Sequence, residues 1–459
     1  MHTRTICSVI YKSLQTSRCG DRQCIRSPAP TRLMGAARSG LRQRSRSSRH
    51  AAEPKAGLPT RTPFHSLRSG TGVMCAHDTD TTMTRLNHIA LLCTLLILRS
   101  DIAHCNEPKV VQLNVLFRHG DRAPETFPKR FPNDPHMHHT FYPMGSGGLL
   151  NTGKRRMYQF GQILRNNYSK LLGTEYWHEN IYAISSDTPR TKMSLQLVLA
   201  ALYPPSLSSN RWNDKLDWQP IPIVYKELKD SLLFDGDRCE WYIEELKKVY
   251  NSTEIQITFR EYETYLKELR LIVGKKSDIT LNDILLLHNN LDIEHRMNLT
   301  MEAWMLSVLA DKRLIQLRQL YYVIGNYNRM LQRLQAGTLM RQITENLQSA
   351  NKKKTPKVTL FSGHDKNIIS LMQLLGVYDL HFPDFGSALL FELLSENQQY
   401  YVKILYFRGL PEETTTITLP GCKAICPLDE FVTLTKNLKI TDEEMNCKIN
   451  VDSYFGEDD

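Results

Sequence analysis

After Leu98 the sequence has no apolar run of membrane-spanning length. The run that ends there, Ile89–Leu98 (IALLCTLLIL), is itself too short to cross a bilayer comfortably. There is no Gly-rich phosphate loop and no internal repeat, so nothing points to a nucleotide-binding loop or a repeat architecture. Beyond residue 82 there is no net charge either. The whole chain carries +10, but its first 82 residues hold 14 Lys and Arg against 4 Asp and Glu, and the remainder is balanced at 44 of each. The basic excess is therefore no sign of a nucleic-acid or membrane-surface partner for the later part of the chain. What is present is ordinary for a globular protein: 41% hydrophobic and 23% charged residues over 459 positions, enough for a large core and more than one domain.

The basic segment 1–82 is rich in Arg, Ser and Pro without a sustained apolar period, and does not read as a folded domain. It is followed by Met83, Arg85, the apolar run and the small-residue site Ala103-His104-Cys105. This is the layout of a secretory signal peptide over 83–105, with an organelle transit peptide as the rival reading. The expected mature chain starts at Asn106 and is exported and soluble. It keeps four of the ten cysteines: Cys239, Cys422, Cys426 and Cys447. Four cysteines allow three pairings, and spacing does not choose among them. Cys422-x3-Cys426 lacks a second Cys/His cluster, so disulfides are favoured over zinc outside the cell. The glycosylation sequons at Asn167, Asn251 and Asn298 fit the same compartment.

Lys109–Phe117 (KVVQLNVLF) reads as a buried strand that runs into Arg118-His119-Gly120. A Pro-rich loop follows from Pro124 to about Pro143. Leu149–Leu172 has helical spacing with Thr152 as a candidate cap. A strand at Ile181–Ser185 leads through Asp187-Thr188-Pro189-Arg190 to a helix ending near Leu202, and a short strand is expected at Ile221–Tyr225. Long helical stretches then dominate: Cys239–Tyr250, Phe259–Val273 and Trp304–Gln335. Strand–helix alternation resumes at Val358–Phe361, Ser362-Gly363-His364-Asp365 and a helix to Leu375, and Ala388–Leu393 with Tyr401–Phe407 looks like a hairpin. The pattern predicts an α/β fold: a mostly parallel sheet flanked by helices, with a helical cap inserted over 239–347 between core segments 106–238 and 348–459.

Ligands of such sheets bind beyond the carboxyl ends of the strands. Arg118, His119 and Arg122 stand after one strand, His364 and Asp365 after another, and Arg190 in the loop after a third. Three guanidinium groups repel one another unless a multiply charged anion joins them, and phosphate fits in charge and geometry. An imidazole in that positive field stays neutral and nucleophilic in mild acid. Asp365 is the nearest acid able to protonate a leaving oxygen once the phosphate's charge raises its pKa. The arginines themselves can stabilise the transferring phosphoryl group, so the chemistry requires no metal.

Arg118-His119-Gly120-Asp121-Arg122-Ala123-Pro124 matches RHGxRxP, and the sequence here resembles the histidine acid phosphatases. The likeness extends to Leu150-Asn-Thr-Gly153, Ser185–Arg190, Ser362-Gly-His-Asp365 and Cys422-x3-Cys426-Pro427. Secreted animal members, such as the insect venom enzymes, are the most similar in character. The resemblance implies a histidine phosphatase-like α/β core with a helical cap, and often a homodimer. It implies phosphate-monoester hydrolysis with His119 as nucleophile, Asp365 as proton donor, and Arg118, Arg122, Arg190 and His364 binding phosphate. It implies no cofactor and no metal, and it implies the pairings Cys239–Cys447 and Cys422–Cys426. Two features depart from the family: Lys366 and Asn367 stand where small hydroxylated residues are common, and the C-terminal span of the lysosomal membrane-bound relatives is missing. Lys366 would sharpen anion binding or alter the pH profile.

Plainer readings apply elsewhere. His136, His138 and His139 form a solvated loop rather than a metal site, Lys352-Lys353-Lys354 a charged turn, and Trp304–Leu320 the core of the helical region. The expected substrates are phosphate monoesters of broad structure. The alternatives are a phosphatase selective for inositol polyphosphates or lysophosphatidate, and a non-catalytic secreted anion- or lipid-binding protein on the same fold. A strongly basic cap would favour polyphosphates, whereas residues 106–459 carry 42 basic and 43 acidic side chains.

Overall fold

The computed structural model describes residues 108–125, 131–209, 211–227, 231–350 and 355–449. The segment 1–82, the expected signal peptide and the Lys352–Lys354 turn lie outside them. Strand β1 (Lys109–Arg118) is followed by helices α1 (Asn151–Asn167) and α2 (Ser169–Leu172), β2 (Ile181–Ser185), α3 (Pro189–Leu202) and β3 (Val224–Tyr225). Helices α4 (Glu240–Tyr250), α5 (Thr253–Val273), α6 (Leu281–Arg296), α7 (Ala303–Leu309), α8 (Lys312–Gly325), α9 (Arg329–Gln332) and α10 (Thr338–Ser349) come next. The chain closes with β4 (Val358–Gly363), α11 (Asp365–Leu374), β5 (Ala388–Glu396), β6 (Gln399–Phe407), β7 (Thr414–Ile417), β8 (Ile425–Pro427) and α12 (Leu428–Thr435).

The strands form one sheet in the order β3-β2-β4-β1-β5-β6-β7, with β8 on β6. An α/β sheet flanked by helices is thus the architecture, but the sheet is not mostly parallel. Its β3-β2-β4-β1 half is parallel, and every pairing from β1–β5 onward is antiparallel. For β5 and β6 the physical reason is their short connection. Glu396 pairs with Gln399 across only Asn397 and Gln398, both at positive φ (49° and 65°). That geometry suits a two-residue hairpin, whereas a parallel pair needs a long crossover.

Alternation along β1 divides the core. Leu113, Val115 and Phe117 pack with α1 and α3 on one face. Leu116 packs with Phe361, Phe391 and helices α10 to α12 on the other. Asn114, on that second face, accepts from Asn346 Nδ2 at 2.7 Å through its Oδ1. Helices α4 to α9 build a separate core around Leu246, Leu269, Ile284, Leu291, Leu317 and Ile324. Met305, Val308, Leu314, Leu317 and Leu320 belong to it, as the reading of Trp304–Leu320 expected.

Three local expectations fail. Thr152 is not the cap of α1; Leu150 holds that position without a side-chain bond. The expected helix over Trp304–Gln335 is broken into α7, α8 and α9, followed by a π-helical turn at Arg333–Gly337. Asp311 and Asn328 start new helices by accepting from the backbone N–H groups of Arg313 and Leu331. The strand expected over Ile221–Tyr225 shrinks to Val224–Tyr225.

Two disulfides are formed, Cys239–Cys447 and Cys422–Cys426, the pairings implied by family resemblance. The first ties the start of α4 to the chain's C-terminal region. The second also engages the sulfurs of the Cys-x3-Cys pair. The loop histidines serve local structure: His136 Nε2 bonds Thr300 O at 2.8 Å, and His139 Nδ1 accepts from Phe141 N at 2.9 Å. No helix among the described residues is long and apolar enough to cross a membrane.

A buried carboxyl pair joins the 131–148 loop to α6. Burial, then the neighbouring Asp134, push Glu294 up to about 8, and burial raises Asp134 as well. A proton held more tightly in the folded state stabilises fully below the ordinary carboxylate range, and its contribution is lost as pH rises toward 8. The melting temperature should therefore fall between about pH 5 and 8. Glu294→Gln should flatten that slope in thermal melts; an unchanged slope would exclude the pair as its source.

Candidate active site

Topology assembles the site. Strand β4 enters the sheet between β1 and β2, although it follows β1 by more than 200 residues of chain. Arg118 thereby pairs with Gly363 and Ser185 with Ser362, so the three strands end side by side. The backbone continues this alignment past the strand ends: His119 N donates to Gly363 O at 3.1 Å, and Ser186 N to Ser362 O at 3.0 Å. All six residues expected from the sequence (Arg118, His119, Arg122, Arg190, His364 and Asp365) line one pocket of about 260 Å³.

Two glycines allow the loop after β1 to lie against α1. A Cβ on Gly120 would stand 2.5 Å from Gly153 O, and one on Gly153 would stand 2.3 Å from Asp121 O. Gly153 belongs to the Leu-Asn-Thr-Gly segment, so that motif is explained by close backbone approach. Asp121, in the variable position of RHGxRxP, pairs with Arg156 through bonds of 2.6 and 3.1 Å.

His119 is buried, and its tautomer is set by its partners. Gly120 O can only accept, so the 2.8 Å contact requires a proton on Nδ1. Nε2 is left with its lone pair and accepts from Arg190 Nε at 3.1 Å. Burial, then Arg190, His364 and Arg118, hold the imidazole well below its ordinary pKa. His364 is lowered for related reasons, burial first and then Arg190 and Lys366, and its Nε2 is hydrogen-bonded to Ser186 Oγ at 3.0 Å.

The guanidinium groups are held by partners in and around the pocket wall. Arg118 Nη1 donates to Pro383 O at 2.7 Å, its Nη2 lies 3.1 Å from Asp365 Oδ2, and its guanidinium stacks 4.0 Å from the Phe385 ring. Arg118 Nε is buried with no hydrogen-bond partner. Arg122 and Arg190 share Glu125 Oε1, at 3.6 and 3.4 Å. Arg122 is pulled down to about 10, by burial first; Glu125 opposes this, and Arg190 and Arg118 add to it. That crowding of positive charge is what an anion would relieve.

Asp365 opens α11 and is ionised. Burial alone would raise its pKa, but Arg118, Arg318 and His364 outweigh burial and hold the carboxyl at about 2. The two departures after it have structural roles. Asn367 Oδ1 accepts from His364 N at 2.9 Å while its Nδ2 donates to Phe234 O at 2.8 Å, fixing the start of α11. Lys366 Nζ lies 2.8 Å from Asp237 Oδ1 and 3.2 Å from Asp235 Oδ1.

Sequence reasoning missed Glu125, Asn290 and Arg318. Asn290, on α6, accepts from Glu125 N at 3.0 Å and donates to Glu125 O at 2.8 Å. Arg318, on α8, is buried, and its Nη1 is hydrogen-bonded to His288 Nδ1 at 3.0 Å. Only Glu125 left a local signal, an acid three residues after Arg122; the other two reach the site through packing alone.

In comparisons with known proteins, residues 109–407 match the model of the histidine phosphatase superfamily (branch 2). The venom acid phosphatase of Apis mellifera is 37% identical over 344 residues, which cover 74% of this chain and 88% of that protein. The prostatic acid phosphatase of Rattus norvegicus is 32% identical, covering 74% and 89%, and the lysosomal acid phosphatase of Xenopus laevis is 32% identical, covering 79% and 84%. Among solved structures, the apo form of Hafnia alvei phytase superimposes with a TM-score of 0.57 at 17% identity, covering 75% of this chain and 99% of that one, a likeness of fold. With the signature, the sheet order and these relatives in agreement, the chain belongs to the histidine phosphatase superfamily, branch 2.

Proposed function

We propose that this protein is an acid phosphatase that hydrolyses phosphate monoesters through a phosphohistidine on His119. The observation that carries the reading is the unprotonated Nε2 of His119 in a pocket where Arg118, Arg122 and Arg190 converge. The phosphoryl oxygens take donors from the three arginines and His364. Nε2 attacks phosphorus, the bond to the ester oxygen breaks, and Asp365 delivers a proton to the departing alcohol. Water then attacks the phosphohistidine. Asp365 accepts its proton, the P–N bond breaks, and inorganic phosphate leaves with His119 neutral again. Asp365 is ionised before substrate binds, so the first proton arrives with the substrate. A phosphate monoester keeps its second proton below about pH 6, which favours activity in acid.

Broad specificity for a single phosphate is supported by the charge balance of the pocket. Beside the three arginines it holds Arg238 and Lys366, set against Glu125, Asp187, Asp235, Asp237 and Asp365. A polyphosphorylated ring would meet these carboxylates. The same reading includes export, for which the relatives named venom, prostatic and lysosomal, the two disulfides and the exposed Asn167, Asn251 and Asn298 are the support. It also includes a helical cap over the phosphate pocket and assembly as a homodimer.

The test is hydrolysis of a chromogenic phosphate ester from pH 4 to 8 with chelator present. Activity that peaks in acid and survives the chelator is expected. An inactive, well-folded protein would favour the anion-binding alternative.

A further inference from the structure

We propose that the phosphate pocket continues into an apolar cavity that binds the leaving group, so that phosphate monoesters with an extended apolar tail are preferred substrates. The inference rests on the phosphatase reading and adds the substrate class.

A second cavity of about 500 Å³ lies within the helical region. It shares five wall residues with the phosphate pocket: Asp237, Asn282, Tyr321, Tyr322 and Lys366. Beyond that common wall the lining turns apolar, with Tyr242, Leu246, Tyr250, Phe259, Leu266 and Ile279 drawn from α4, α5 and the segment before α6. The Tyr242 hydroxyl is engaged: its Oη donates to Gly325 O at 2.9 Å and accepts from Gln335 Nε2 at 2.6 Å. The Tyr250 and Phe259 rings stack at 6.0 Å and 10°. Exposed Lys247 and Asn251 also line it, so the cavity reaches the surface away from the phosphate pocket.

Position and chemistry select the occupant. Any ester held by the arginines directs its alcohol portion out of the phosphate pocket, and the shared wall leads from there into apolar space. At the junction Lys366 faces two carboxylates, Asp237 and Asp235, so the passage carries no excess positive charge to attract a second anion. The volume lies in the range of whole small-molecule sites and exceeds what a short alcohol would fill. An alkyl or acyl chain is the complement of such a space, gaining affinity with each methylene removed from water.

The test is kcat/KM for a series of primary alkyl phosphates, ethyl through octyl, below their aggregation concentrations. The expected result is a rise of up to about fourfold per added methylene until the cavity is filled. Leu266→Trp, which intrudes on the cavity, should collapse the octyl-to-ethyl ratio. In the unmodified protein, octan-1-ol should compete with octyl phosphate. A flat series with ethyl phosphate readily hydrolysed would overturn the tail-binding proposal and leave the phosphatase reading standing. So would a length dependence that Leu266→Trp and octan-1-ol both fail to alter. Failure to hydrolyse any member would instead sink the phosphatase reading.

Discussion

His119→Ala should lower kcat for phosphate monoesters by at least on the order of 10⁴-fold, as loss of a covalent nucleophile does when no neighbour can replace it. The nearest imidazole is that of His364, whose ring centre is 5.4 Å from that of His119. Its Nε2 faces Ser186, so it is not placed to take over. The variant should keep its anion affinity, because Arg118, Arg122 and Arg190 are held by Pro383, Asp365 and Glu125 and not by the imidazole alone. Inorganic phosphate should therefore still raise its melting temperature, which separates lost chemistry from lost folding. Rapid quenching of the parent into base should trap a phosphorylated protein that is stable in alkali and labile in acid. The variant should yield none. Substantial turnover by the variant would remove His119 from the reaction.

Asp365→Asn should produce a defect that depends on the leaving group. For alkyl esters, whose alkoxide cannot depart unprotonated, the loss should be about 10²- to 10⁴-fold in kcat. For an acidic phenol it should be much smaller, since that oxygen leaves as an anion. Equal losses on both would reassign Asp365 from proton transfer to the positioning of Arg118. The pH profile offers a second check. With Asp365 held at about 2 in the free protein, no fall in kcat/KM on its account is expected between pH 4 and 8. The decline toward neutral pH should instead follow the second ionisation of the substrate near pH 6. Substrates with a lower second pKa should shift that decline to lower pH.

The parts of the molecule legible in the sequence were those governed by short-range pattern. β2 and the end of α3 fall where the apolar periods placed them, and the RHGxRxP and Ser-Gly-His-Asp segments sit at strand ends because buried runs lead into them. The start of α1 escaped because Thr152 is an attractive cap in isolation. The helix begins one residue before it, after Leu150, without a side-chain cap to mark the place. The single long helix expected after Trp304 is interrupted at Asp311 and Asn328, residues whose capping chemistry competes with a continuing apolar period. The antiparallel half of the sheet turned on β1 pairing with β5, a contact between segments about 280 residues apart. Arg318, Asn290 and the second cavity depend on how helices stack, and no local spacing encodes that.

The paired bonds between Asn290 and the backbone of Glu125 carry a consequence for how such proteins diverge. Glu125 steadies two of the arginines, yet the residue that steadies Glu125 belongs to a helix of another core. The helical region is then not a module that can be traded freely between homologues to change what is recognised. A chimera taking its helices from a relative without a matching amide at this position would inherit a slack motif loop, even with every residue of the motif intact. Lineages altering these helices would have to keep a side-chain amide at position 290, able both to accept from and to donate to the backbone at 125.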